Sequence, residues 1–258
     1  MPVDPRRRGE APGAVPLWVL MYHSVDYADE DPYRITITPD RLREQLAWLR
    51  RRGLRGVSVG ELLRARAAGR GERLVGLTFD DGYKDFVDYA VPLLRGHNCT
   101  ATVFVLPGYL GGSNVWDADG PRKRLLTDDG VRAAADAGME IGSHGMTHAA
   151  LTALPDEDLD AELTRSRAAL HEITGADVPG FCYPYGAVDR RVARAVRAAG
   201  YAYACGISPG SLTGRWALPR VHVGESDSAR RLRLKHWLHP VRRRSVRLDA
   251  AAAGGALR

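Results

Sequence analysis

Two rhythms of apolar positions run through the chain. Short, nearly continuous apolar runs at 17–22, 74–79, 100–106, 139–143, 181–183, 201–205 and 218–223, with a brief one around Val57, read as buried strands. Between them, apolar residues three and four apart mark helices over 38–52, 59–68, 83–95, 127–137, 155–174 and 187–199, as with Leu42, Leu46 and Leu49, or Leu159, Leu163, Leu170 and Ile173. The punctuation agrees. Thr38-Pro39 offers an N-cap followed by proline at the first helical position, and Ser58 with Glu61 three residues on offers a capping box. Thr127 caps a further helix, Gly53 and Gly200 stop two others, and Pro92 predicts a kink. Strands alternating with helices predict an α/β fold of about seven parallel units in one domain. A barrel and an open doubly wound sheet both fit that pattern. No G-x-G-x-x-G follows the first strand, which counts against a dinucleotide-binding version.

Outside this pattern lie a polar loop at 26–36 and a long loop at 107–126 containing Trp116, Asp117 and Asp119. A loop of that length is expected to wall a cleft. Residues 1–15 are expected to form a disordered tail, 16–225 the catalytic body, and 226–258 a basic C-terminal helix and flexible tail.

Composition changes the picture in three places. The 258 residues, 45% hydrophobic and 26% charged, suffice for a full soluble core, and no apolar run reaches membrane-spanning length. The net charge of +6 is uneven: residues 17–225 hold 25 basic and 27 acidic residues, and the two ends hold 12 and 4. A nearly neutral body argues against a nucleic-acid-binding core, so no nucleic acid is expected as a partner. The three cysteines, Cys99, Cys182 and Cys205, include no C-x-x-C pair and read as buried thiols of a reducing compartment. With no signal-peptide pattern near the start, the expected location is the cytoplasm.

The chemistry concentrates at strand ends, where β/α barrels place their sites. Thr78-Phe79-Asp80-Asp81-Gly82 closes an apolar strand with two adjacent carboxylates. Two such groups repel unless a cation or a shared proton relieves them, which splits the pair into a metal ligand and a proton carrier. A turn or helix N-cap is the plainer alternative. His144-Gly145-Met146-Thr147-His148 spaces two histidines four apart just after another strand. Surface or capping histidines explain many such pairs. With Asp81, however, they compose a three-ligand set suited to zinc or a related divalent metal with an open position.

These motifs resemble, in order over roughly residues 17–223, those of the polysaccharide deacetylases, carbohydrate esterase family four. The resemblance implies a distorted (β/α) barrel, one divalent metal, zinc foremost with Co2+, Ni2+, Fe2+ or Mn2+ suited as well, and hydrolysis of N-acetyl groups on amino sugars. It implies Asp81, His144 and His148 as metal ligands and Asp80 as general base. Gly145 departs from the family's Ser/Thr, a change expected to loosen the hydrogen bonding of that loop. Phe181-Cys182-Tyr183-Pro184-Tyr185-Gly186 keeps the family's Pro-Tyr without its arginine, and resembles an F-x-Y-P-Y-G subgroup. The backbone N–H of Tyr185 is then the implied oxyanion donor, and Arg220, after a strand-like run, is the candidate to orient Asp80. No D-x-x-D-W occurs. His23, in an N-terminal Tyr-His at the end of the first strand, resembles the acid of circularly permuted members. His222 is its competitor.

Asp80 and His23 are expected on opposite sides of the substrate, giving a bell-shaped pH profile. Trp116 and Tyr183 are candidate sugar contacts. In the tail, Leu234, Trp237, Leu238 and Val241 share one helical face beside several arginines, so residues 229–247 are candidates for peripheral contact with the inner face of a membrane, or for packing on the barrel. Other readings remain: a hydrolase of small amides, or a metal-free carbohydrate-binding relative.

Overall fold

The apolar runs become strands. In the computed structural model, which describes residues 17–207, 210–238 and 246–247, these are β1 (Val19–Tyr22), β2 (Ser24–Val25), β3 (Thr36–Ile37), β4 (Arg55–Val57), β5 (Leu74–Phe79), β6 (Thr102–Val105), β7 (Glu140–Ser143), β8 (Gly180–Cys182), β9 (Tyr203–Cys205), β10 (Leu212–Thr213), β11 (Val221–His222) and β12 (Val246–Arg247). The helices are α1 (Pro39–Arg51), α2 (Val59–Ala67), α3 (Val91–Gly96), α4 (Asp128–Asp136), α5 (Asp156–Thr174), α6 (Arg190–Ala198) and α7 (Ala229–Leu238).

The main sheet follows the seven-strand path β11-β1-β5-β6-β7-β8-β9, every pair parallel, with β4 pairing off the path to the first half of β5. The segment leading into β11 closes the ring. Leu218 N–H donates to Ala204 O at 2.8 Å and Leu218 O accepts from Gly206 N–H at 2.9 Å, three residues before Val221 pairs with Leu20 of β1. This is the distorted barrel. Its distortion follows from very short strands and from two neighbours sharing one edge of β5.

Strand periodicity sorts the core. Val19, Phe104, Cys182, Tyr203, Cys205 and Leu218 form one buried cluster. Their neighbours Leu20, Tyr22, Val103, Val105, Phe181 and Ala204 pack outward against helix residues such as Leu42, Leu46, Val131, Leu163 and Val192. On β5, Leu77 and Phe79 face outward, which turns Thr78 and Asp80 inward.

Thr38, Ser58, Thr127 and Asp189 cap α1, α2, α4 and α6 through their side-chain oxygens. The Ser58 capping box is only half formed, because the Glu61 carboxylate turns to Arg55 and Thr100. Pro92 does disturb its helix: Phe86–Ala90 is a π-helical stretch feeding α3. A proline ring supplies no N–H and crowds the preceding turn, and a widened turn accommodates both.

The C-terminal helix α7 docks on the barrel. Leu232 is fully buried, Lys235 Nζ donates to His222 O at 2.7 Å and Asp227 Oδ2 at 2.6 Å, and His236 packs on the Trp18 ring. Leu234 and Trp237, from the expected apolar face, remain exposed at 54% and 73%, and Val241 lies outside the described residues. No described helix is long and apolar enough to cross a membrane.

Candidate active site

Register builds the first half of the site. Tyr22 pairs with Phe79, and Asp80 N–H donates to Tyr22 O at 3.0 Å. The next residue on each strand is therefore side by side: His23 Nε2 stands 3.8 Å from Asp80 Oδ2. The expected placement on opposite sides of the substrate is corrected to adjacency, a consequence of neighbouring parallel strands ending at one level.

Arg220, fully buried, reaches across the barrel to the Asp80 carboxylate. Nη1 donates to Oδ1 at 2.6 Å and Nη2 to Oδ2 at 2.8 Å. The guanidinium also donates to Thr78 Oγ1 and Gly206 O, both at 3.0 Å, and Phe104 lies beneath it. Burial alone would raise the Asp80 pKa. The charge and hydrogen bonds of Arg220 outweigh burial and hold it below the usual carboxylate value. Cys182 occupies the position two residues before Pro184, with its sulfur 3.0 Å from Arg220 Nη2. The barrel thus receives its arginine from the opposite wall. Burial raises the Cys182 pKa, so the thiol stays neutral and inert. Asp80, His144 and Cys182 also lie close enough to suggest a cation site, but a guanidinium already fills that space.

The second half is Asp81, His144 and His148, all buried. Asp81 Oδ1 lies 3.3 Å from His144 Nε2 and 3.4 Å from His148 Nε2. Donors on a tetrahedral metal at about 2.0–2.1 Å stand roughly 3.3–3.4 Å apart, so both separations from Asp81 match a zinc-like ion. His144 Nδ1 lies 2.8 Å from Cys182 O, which fixes its proton there and leaves Nε2 free to ligate. Against burial, the two histidines hold Asp81 well below the ordinary carboxylate pKa. Burial lowers the His148 pKa, whereas the Asp81 carboxylate works against burial and raises that of His144.

Backbone strain marks the same residues. Five described non-glycine residues have left-handed φ, and three are Asp81 (71°), His148 (58°) and Tyr185 (57°). Such conformations cost about 1–3 kcal/mol each and persist where surrounding structure imposes them.

Tyr185 follows β8 on a tight turn, 60% exposed, with its ring edge-on to His148. Trp116 stacks on His148, centroids 4.7 Å apart, so the long loop does wall the metal-ligand set. Tyr183 does not join it. Its ring is buried among Phe181 and the outer core and its hydroxyl donates to Trp216 O at 2.7 Å, because strand alternation turns it away from the cleft. His222 is held in the barrel wall, 6.2 Å from the His23 ring, and burial and then His23 and Lys235 lower its pKa. That disfavours it as a proton donor.

Three contributors escaped the sequence reading. Asp85 accepts from Ser24 Oγ at 2.6 Å and Val25 N–H at 3.0 Å, fixing the chain just after His23. Its place three residues after Gly82 was the only signal. Thr78 bridges Leu20 O to Arg220. Glu162, on α5, ties down the loop 144–148 and gave no signal at all.

The parallel β/α barrel brings paired aspartates and two histidines to its strand ends, a donor set suited to a divalent metal beside a proton carrier. The sequence profile of the polysaccharide deacetylase family matches residues 67–204, and the chain belongs to that family of carbohydrate N-deacetylases. A putative polysaccharide deacetylase of Bacillus subtilis is 26% identical over 227 residues, covering 85% of this chain and 76% of that protein. The poly-β-1,6-N-acetyl-D-glucosamine N-deacetylase of Escherichia coli K12 is 36% identical over 78 residues, covering 30% of this chain and 12% of that protein. Among solved structures, IcaB from Ammonifex degensii superposes with a TM-score of 0.70 at 25% identity, over 86% of this chain and 97% of that one.

Proposed function

We propose that this chain is a divalent-metal-dependent N-deacetylase that removes acetate from an N-acetylhexosamine-containing glycan or glycoconjugate. The observation that carries the reading is the juxtaposition of Asp80, clamped by Arg220, with the Asp81–His144–His148 set one residue away. Zinc or a related ion held by those three would supply the Lewis acid that activates water and polarises the acetamide carbonyl.

The residues divide the remaining work. Asp80, kept ionised and immobile, takes the proton of the attacking water. The Tyr185 N–H, presented by its left-handed turn, donates to the carbonyl oxygen as negative charge grows there. His23 gives its proton to the departing amine nitrogen. Its 3.8 Å separation from Asp80 lets the proton taken from water return to His23, resetting both groups for the next cycle. Trp116 and the exposed Tyr185 ring offer aromatic faces beside the site for a sugar ring. The three free, buried cysteines support a reducing, cytoplasmic setting.

Acetate release from β-1,4- and β-1,6-linked N-acetylglucosamine oligomers, compared with small acetamides, tests the reading. Faster turnover of the sugars is expected. Turnover of small amides alone would replace it with a general amide hydrolase.

A further inference from the structure

We propose that Glu162 is the positioning residue of the metal-ligand loop, doing from α5 what a side chain at position 145 would otherwise do from within the loop. This rests on the metal reading above. The segment 144–148 leaves β7, bends through Gly145 at φ +84° and ends on His148, whose own φ is strained at 58°. Between the two histidines, one carboxylate gathers the loop. Glu162 Oε2 accepts from Met146 N–H at 2.6 Å and Thr147 N–H at 3.1 Å, and Oε1 accepts from Thr147 Oγ1 at 2.5 Å. Hydrogen bonds to an ionised acceptor are about twice as strong as neutral ones. Three of them converge on the two residues immediately before His148, so they hold that ligand in a conformation it would not otherwise keep.

The glycine is the other half of the device. A Cβ built on Gly145 would sit 3.0 Å from Glu162 Oε2. A side chain there would crowd the carboxylate oxygen that accepts from the Met146 amide. Gly145 and Glu162 therefore fit together as a pair, and the loop is not loosened by lacking a hydroxyl at 145. Other ties remain: Gly145 N–H donates to Ser143 Oγ at 3.1 Å, and Met146 O accepts from Gly108 N–H at 3.1 Å. These hold the near end of the loop and its outer side. Glu162 takes both amide N–H groups of the stretch leading directly to His148.

The test is zinc affinity, measured by competition with a chromophoric chelator on wild type, Glu162→Gln, Thr147→Val and His148→Ala, with melting of each metal-free protein alongside. An amide at 162 turns a donor toward donors. Glu162→Gln is expected to weaken zinc binding about 10- to 100-fold, the usual effect of removing a group that orients a ligand, without lowering the metal-free melting temperature to match. Its cobalt-loaded form should show an altered visible absorption band at saturating metal. Thr147→Val, which removes one bond of the three, should weaken zinc several-fold, and it serves if Glu162→Gln does not fold. Wild-type affinity in both variants, with binding lost in His148→Ala, would overturn this inference and leave the metal site standing. A wild type that binds no zinc would overturn both.

Discussion

Replacing Arg220 by glutamine should move the acid limb of the pH profile upward. In the wild type, two hydrogen bonds at 2.6 and 2.8 Å and a full opposing charge offset the burial of Asp80, whose side chain is 4% exposed. An adjacent arginine lowers a carboxylate by about 1–3 pH units, and burial raises it. Removing the guanidinium leaves burial unopposed, so the limb should rise by at least that amount in kcat/KM measured on an N-acetylated oligosaccharide. Stability follows with a definite sign. The depressed Asp80 pKa contributes stability that is present above the unfolded carboxylate value and is lost as pH falls through the folded one. In the variant the contribution reverses. Breaking a buried pair costs about 3–5 kcal/mol, and this deficit should be largest near neutral pH and shrink toward acid. Arg220→Lys should fall between, because one ammonium cannot serve both carboxylate oxygens together with Thr78 and Gly206. An unmoved acid limb together with a neutral-pH deficit below ~1 kcal/mol would refute the reasoning.

Three further outcomes are expected. His23→Gln should lower kcat about 10²- to 10⁴-fold with zinc binding unchanged; if His222→Gln does this instead, the acid has been misassigned. Tyr185→Phe should change activity by less than about threefold, since the oxyanion donor is a backbone N–H whose loss would cost about 10²–10³-fold; a large loss would move the role to the hydroxyl. Zinc affinity should fall with falling pH, since the two histidine nitrogens that would hold the metal are the ones that protons would occupy. A flat dependence between pH 6 and 8 would contradict that assignment.

The parallel units and the motif residues at strand ends were legible because they rest on local patterns: apolar runs, caps, and side chains whose spacing the backbone fixes. β5 was read to the residue, from Leu74 to Phe79. Arg220 was visible only as a basic residue after a strand-like run, yet the ring closure that carries it to Asp80 depends on pairing between β9 and Leu218, a contact no local pattern encodes. Tyr183 was misplaced by one step of strand alternation, which a three-residue strand is too short to reveal. The adjacency of His23 and Asp80 needed the Tyr22–Phe79 register. Glu162 lies on α5 among other charged residues and resembles any solvent-facing glutamate until the loop folds over it. On α7, helical spacing singled out Leu234 and Trp237, whereas the buried contact is Leu232.

The central claim is that Asp80 moves protons beside a metal held by Asp81, His144 and His148. It is tested most directly by stripping the protein of metal, titrating zinc back, and following both bound zinc and acetate released from N-acetylglucosamine oligomers in wild type and Asp80→Asn. The account predicts one zinc per chain in both proteins, with acetate release rising in step with zinc in wild type and nearly absent in the variant. Acetate release that is independent of zinc, or an Asp80→Asn protein as active as wild type, would contradict it.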